Sequence, residues 1–423
     1  MNTLHASKLI VLVLPFALVA GGCNKGSSGG KPGARPNPKL EAIRAAGFPV
    51  TLAEYGAWYA EPPAEENAAA IYQQAFDALA PDDPSSASFV ANNPKALALL
   101  HQAAGRQKCR YPIDLKGGFS TLLPHLAKIK KCAQLLSQEA KSHASKGQMD
   151  LASQSILDGL RLARSLEEEP ILISHLVQVA SETIMQAGLE AVLNGKSFSN
   201  EQLTRLQTAF ADAESGVALT RSLVGERCSG LSAFEFSPQE WAKVMAAQDS
   251  ARSFDLDAYR KTPAFKTDFD FFLDRMEECI TASTSPFPQS LEGIGPWTSQ
   301  VDEAKTKGHL ISALLLPALA SVLERAAEGV ARLRVTQAAL AVERYRAAHQ
   351  NALPDSLSQL TPQFVRTVPT DPFDGQSLHY QKSFSTGYVV YSVGKDRKDD
   401  GGKGRASGSP SGASFDLSFA VRR

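Results

Sequence analysis

The chain has 423 residues, 43% hydrophobic and 21% charged, with 44 basic and 44 acidic side chains and a formal net charge of zero. That length accommodates two or three domains with real cores, and the composition is that of an ordinary globular protein. The balanced charge excludes a basic field that would draw nucleic acid, and no acidic tail is present.

Residues 1–22 read as a targeting segment. Lys8 supplies a weak positive start, and Leu9 to Ala20 form an apolar run too short to span a bilayer. Ala20-Gly21-Gly22-Cys23 follows and resembles a bacterial lipobox, with Ala20 where that family prefers Leu. The resemblance implies cleavage before Cys23 and lipidation of its thiol. The alternative is ordinary cleavage nearby with Cys23 unmodified. Either way the chain is expected to be exported, and with the lipid it is held on the periplasmic side of a membrane as a cell-envelope lipoprotein. Residues 23–36 are Gly, Ser, Lys, Pro and Arg with almost nothing apolar, so they form a flexible tether reaching at most ~45 Å.

Cys109, Cys132, Cys228 and Cys279 remain. In an oxidising compartment four cysteines permit two disulfides. Proximity along the chain favours Cys109–Cys132 and Cys228–Cys279, and four buried free thiols are the alternative. Their spacing matches no zinc site.

Residues 37–285 read as a helical body. Asn37-Pro38 and Asn93-Pro94 each place a capping residue before a first-turn proline. Ser120–Ser145 and Asp150–Leu166 carry apolar stripes at helical spacing, separated by Lys146-Gly147. Gly147, Ala152 and Leu160 stand as in the turn and second helix of a tetratricopeptide repeat, so this pair resembles one such helical hairpin. Ile171–Leu193 is the most apolar helix of the body. Phe265, Phe269, Phe272, Met276 and Cys279 line one face of a helix from Pro263 to Ala282, and core packing explains them.

Pro286, Pro288, Gly293, Gly295 and Pro296 mark residues 286–308 as a linker. Within residues 309–423, Leu310–Ala320 is a short buried helix that Pro317 should kink. Val322–Ala348 is a long amphipathic helix. Ser377–Lys382, Gly387–Val393 and Ser414–Val421 read as strands, with an acidic, glycine-rich loop from Gly394 to Gly402.

The order of Leu353-Pro354, Asp371-Pro372-Phe373, Tyr380, Tyr388, Ser392-x-Gly394-x-Asp396, the Gly/Asp loop and an Asp416-containing strand resembles the C-terminal part of the major pseudopilin of type II secretion systems. The chain departs from that family by carrying an exported helical body where a pseudopilin has its membrane helix. It is therefore not expected to assemble as a filament subunit. The family's loop binds calcium, and the matching acids here are Asp396, Asp399, Asp400 and Asp416. A solvated Asp/Gly turn is the alternative.

The expected fold is mainly α with a C-terminal α+β module: a tetratricopeptide-like helical-hairpin body, then a long helix packed on a small antiparallel sheet. No catalytic constellation stands out. His175 reads as core, Glu167-Glu168-Glu169 as a solvated run, and Glu226-Arg227 as an ion pair on one helix. These features point to a non-enzymatic, membrane-tethered scaffold that binds envelope or secretion-system proteins. An envelope hydrolase with a site assembled from scattered residues is the alternative.

Overall fold

Helix starts follow local chemistry. Asn37 accepts from the Lys39 amide ahead of Pro38, Thr51 and Glu54 form a reciprocal capping box, and so do Ser199 and Gln202. The computed structural model describes residues 37–247, 255–293, 297–383, 386–404 and 415–423. Cys23, the targeting segment and the tether lie outside the described residues.

Among the described residues the chain forms sixteen α-helices. They are α1 (Pro38–Ala45), α2 (Leu52–Trp58), α3 (Ala69–Asp77), α4 (Pro94–Ala104), α5 (His125–Ser145), α6 (Met149–Arg164), α7 (Leu172–Leu193) and α8 (Asn200–Asp212). There follow α9 (Val217–Ala233), α10 (Pro238–Ala247), α11 (Leu256–Arg260), α12 (Pro263–Ser283), α13 (Gln289–Glu292), α14 (Trp297–Thr306), α15 (Leu310–Leu315) and α16 (Pro317–Ala348). Gly147, at a φ of 75°, turns α5 into α6, and both pack against α7.

Two large apolar cores and two small clusters result among the described residues. One joins α3 to α8 with the C-terminal half of α16 and the sheet. The other joins α1, α9, α11, α12 and α15 with the N-terminal half of α16. At ~1.5 Å per residue α16 is ~48 Å long. It places Leu319, Val322 and Leu323 in the second core and Leu333, Val335 and Leu340 in the first.

Strands β1 (His379–Ser383), β2 (Gly387–Ser392) and β3 (Leu417–Val421) form an antiparallel sheet in that order, with Val390 opposite both Tyr380 and Phe419. Tyr388, Val390, Phe419 and Val421 enter the core, where the Tyr388 hydroxyl donates to the Ala339 carbonyl at 3.1 Å. The outer edge of β3 is closed by α7 rather than by another strand. Ala420 N–H donates to the Glu190 carboxylate at 3.0 Å, and the Asn194 amide donates to the Ala420 carbonyl at 2.9 Å.

The chain is thus mainly helical, at about 60%, with one small antiparallel sheet. Pro317 interrupts the helical run of 310–320: α15 ends at Leu315, and the proline opens α16 at the first position, where its missing N–H costs nothing. The stretch read as a linker contains α13 and α14, and buries Ser290 and Ala304. No helix among the described residues is long and apolar enough to cross a membrane.

Candidate binding cavity

Helix α7 hides a polar stripe. His175, Gln178, Glu182 and Gln186 recur at helical spacing on one face and are only 6%, 2%, 5% and 4% exposed. Buried polar groups are normally hydrogen-bonded. Here neither ring nitrogen of His175 has a partner, nor do the side-chain carbonyl oxygens of Gln178 and Gln186. The one bond within the stripe runs from the Gln178 amide to Glu182 Oε1 at 3.0 Å.

His175, Gln178 and Glu182 line a cavity of about 160 Å³. It lies where α16 passes from one core to the other. Gly329 brings the α16 backbone so close to α7 that an added Cβ would stand 3.0 Å from a Val179 methyl. Leu219 and Phe287 supply apolar wall from the start of α9 and the turn after α12, and Val330 and Leu333 supply it from α16. Another wall is the ion pair of Arg334 with Glu214, whose Nε–Oε1 distance is 2.8 Å. Arg334 also donates to the Thr370 carbonyl at 2.9 Å, so its guanidinium is largely committed.

Burial sets the charge of the cavity. It pushes the His175 imidazolium down to about 4 and the Glu182 carboxyl up to about 8, so both are neutral near pH 7. The α7 side of the cavity therefore carries no charge. Of the serines that line it, Ser283 is bonded to Thr220 and to the Ile280 carbonyl, Ser215 receives the Val217 amide, and Ser285 is exposed.

Two other histidines serve structure. His101 bridges Asp158 Oδ2 at 2.7 Å and Glu139 Oε2 at 3.0 Å, tying α4 to α5 and α6. Hydrogen bonds to Asp158 and then Glu139 hold its pKa up at about 10. His125 Nε2 faces both Glu169 oxygens at 3.1 and 3.0 Å, and Ser174 donates to the same carboxylate. Glu169, read as part of a solvated run, is 1% exposed. Arg227 pairs with Glu277 of α12 instead of its neighbour Glu226, and donates to the Pro49 carbonyl at 2.8 Å.

The residues expected from sequence fall elsewhere. Cys109, Cys132, Cys228 and Cys279 are free thiols, so the expected disulfides Cys109–Cys132 and Cys228–Cys279 are not formed. Cys132 and Cys279 pack in different cores, and Cys228 donates to the Pro49 carbonyl at 3.2 Å. The calcium set is also not assembled. No group of three or more His, Cys, Asp or Glu among the described residues is placed to hold a metal ion. Asp396 accepts from the Lys398 amide, Asp399 from Gly401 and Tyr391, and Asp416 Oδ2 from the amides of Asp400 and Gly402. The acids are thus occupied in holding the loop's own turns. Only Asp416 Oδ1 is buried without a partner, and one carboxylate oxygen does not make a calcium shell.

Asp371 does join two of the motif segments. Its carboxylate accepts from Ser392 Oγ at 3.0 Å and from the Val393 amide at 2.8 Å, fastening the Asp371-Pro372-Phe373 turn to the end of β2.

Compared with known proteins, the chain finds no match: no family model, no curated protein and no solved structure is similar to it.

Proposed function

We propose that the chain is an exported, lipid-tethered envelope protein that acts by binding and not by turnover. The observation that carries this reading is the cavity on α7. It sets the uncharged side chains of His175, Gln178 and Glu182 beside apolar walls, which suits recognition. The tether and the anchor at Cys23 rest on the lipobox resemblance. In this reading α5 and α6 are a tetratricopeptide-like hairpin, and α16 with the sheet is a pseudopilin-like head that meets envelope or secretion-system proteins. The fastening of Asp371 to Ser392 and Val393 supports the head, because it joins segments that the resemblance rests on.

A fatty-acid labelling experiment tests the anchor. Label should enter the chain and be lost in Cys23→Ala; equal labelling of both would refute lipidation at that residue. Crosslinking in cells, with a tag after Arg423, tests the partner. Enrichment of secretion or pilus components over another lipoprotein is expected, and their absence would remove the head's assigned role.

A second reading has one observation in its favour. His175 and Glu182 carry shifted pKa values in a single cavity, as acids and bases of a hydrolase do. Turnover of envelope material that is lost in both His175→Gln and Glu182→Gln would favour it.

A further inference from the structure

The surface that the cavity shows to an occupant is mostly apolar. Val179 of α7, Leu219 of α9, Phe287 of the turn after α12, and Ala326, Val330 and Leu333 of α16 line it. The unpartnered ring nitrogens of His175 and the side-chain carbonyl oxygen of Gln178 have essentially no accessible surface, so they offer an occupant no hydrogen bond. The volume of about 160 Å³ is close to that of engineered apolar cavities of about 150 Å³ that take up benzene. Ser285 and Pro286 also line the space and are exposed, so it opens to solvent on that side.

Charge and polarity narrow the ligand further. Arg334 and Glu214 neutralise each other, and Glu182 accepts from the Gln178 amide. Ser215 and Ser283 are committed to their own neighbours. A charged ligand would give up its hydration without meeting a free counter-charge, and a polar one would lose more on leaving water than a hydrocarbon of the same shape.

We propose that the cavity between α7 and α16 binds an uncharged hydrocarbon group of about six to eight carbons, a single ring or a branched chain of that size, held by shape and apolar contact. The group lies against Leu219, Val330 and Leu333. This rests on reading the cavity as a binding site, and it names the ligand's chemistry.

The test uses the purified full chain and saturation-transfer NMR. Toluene and cyclohexane are the hydrocarbon probes. Benzamide carries a neutral polar group on the same ring as toluene, and benzoate and benzylammonium carry a charge. Both hydrocarbons should bind saturably with a Kd of about 0.1–1 mM. Benzamide and the two charged probes should bind about tenfold more weakly. Ala326→Leu and Val330→Phe fill the space from α16, and each should weaken toluene about tenfold. Two variants are used so that a folding failure in one, seen by circular dichroism, leaves the other to decide.

Absence of saturable binding by both hydrocarbons would overturn the proposal. Unchanged toluene affinity in the folded variants would also overturn it, because the probe would then sit elsewhere on the chain. Tighter binding of benzamide or of a charged probe, lost in the same variants, would overturn the hydrocarbon class and leave the cavity a binding site. Failure of every probe would overturn the reading of the cavity as a binding site as well.

Discussion

Gln178 donates its side-chain amide to Glu182 Oε1 at 3.0 Å, one turn further along α7, and so leaves its own carbonyl oxygen buried without a donor. Unpaired buried polar atoms of this kind cost on the order of 1–3 kcal/mol each. Filling the stripe with apolar residues would be the cheaper way to build a core. Its retention on the wall of a cavity is the physical ground for assigning that cavity to recognition.

The first prediction concerns pH. Burial raises the Glu182 pKa to about 8, so the folded state binds its proton more tightly than the unfolded chain. The stability this contributes is fully present below about pH 4.5 and is lost as pH rises towards 8. His175 works in the opposite sense. Its pKa falls from 6.5 to about 4, so stability is lost as pH falls through that window. The two slopes oppose each other between about pH 4.5 and 6.5, and Glu182 acts alone above that. Urea denaturation from pH 6.5 to 8 should show Glu182→Gln losing less stability than the wild type, by up to about 1.4 kcal/mol per pH unit. Parallel curves would show that Glu182 is ionised throughout.

A second prediction concerns His101, whose raised pKa of about 10 comes from hydrogen bonds to Asp158 and Glu139. Its contribution is complete below about pH 6.5 and disappears as pH rises through 10. His101→Gln removes the cation that Asp158 and Glu139 share, leaving Asp158 with Arg161 and Glu139 with His143. It should cost about 2–3 kcal/mol at pH 6, below the full value for a buried pair because the ring is 32% exposed. The deficit, measured by chemical denaturation, should shrink towards pH 10.

The thiols give a third. Burial pushes Cys109, Cys132, Cys228 and Cys279 up to about 12, which makes them poor nucleophiles. Without reductant, a thiol reagent should find almost none of these four in the native protein at pH 8 and all four after denaturation. Two fewer thiols after denaturation would point to a disulfide.

A fourth addresses calcium. Because Asp396, Asp399 and Asp416 accept from the loop's own amides, calcium at about 5 mM should leave the melting temperature of the full chain unchanged. A rise that Asp396→Ala removes would restore the calcium site implied by the pseudopilin resemblance.

Much of the helical layout was legible because it is written locally. Pro94 and Pro263 open α4 and α12, Gly147 separates α5 from α6, and Tyr388 and Val390 alternate inward on β2. The site was not legible. His175 read as an ordinary core residue, and its burial is correct. That it has no partner depends on α16, some 150 residues later in the chain, which no periodicity reveals. Averaging hydropathy over α7 also concealed six buried polar residues among its leucines and valines. Glu169 was misread for the same reason, since its partner His125 lies 44 positions away. The cysteines paired by proximity are free thiols: Cys228 and Cys279 lie in separate apolar clusters, while Cys109 and Cys132 share one core without bonding.

The most direct measurement is the protonation of His175 by nitrogen-15 NMR, assigned by loss of its signals in His175→Gln and followed from pH 3.5 to 8. The expected result is a neutral ring at pH 5.5 and a midpoint near 4. A midpoint near the ordinary value of 6.5 would place His175 in contact with bulk solvent and contradict the buried polar stripe of α7 on which the binding reading rests.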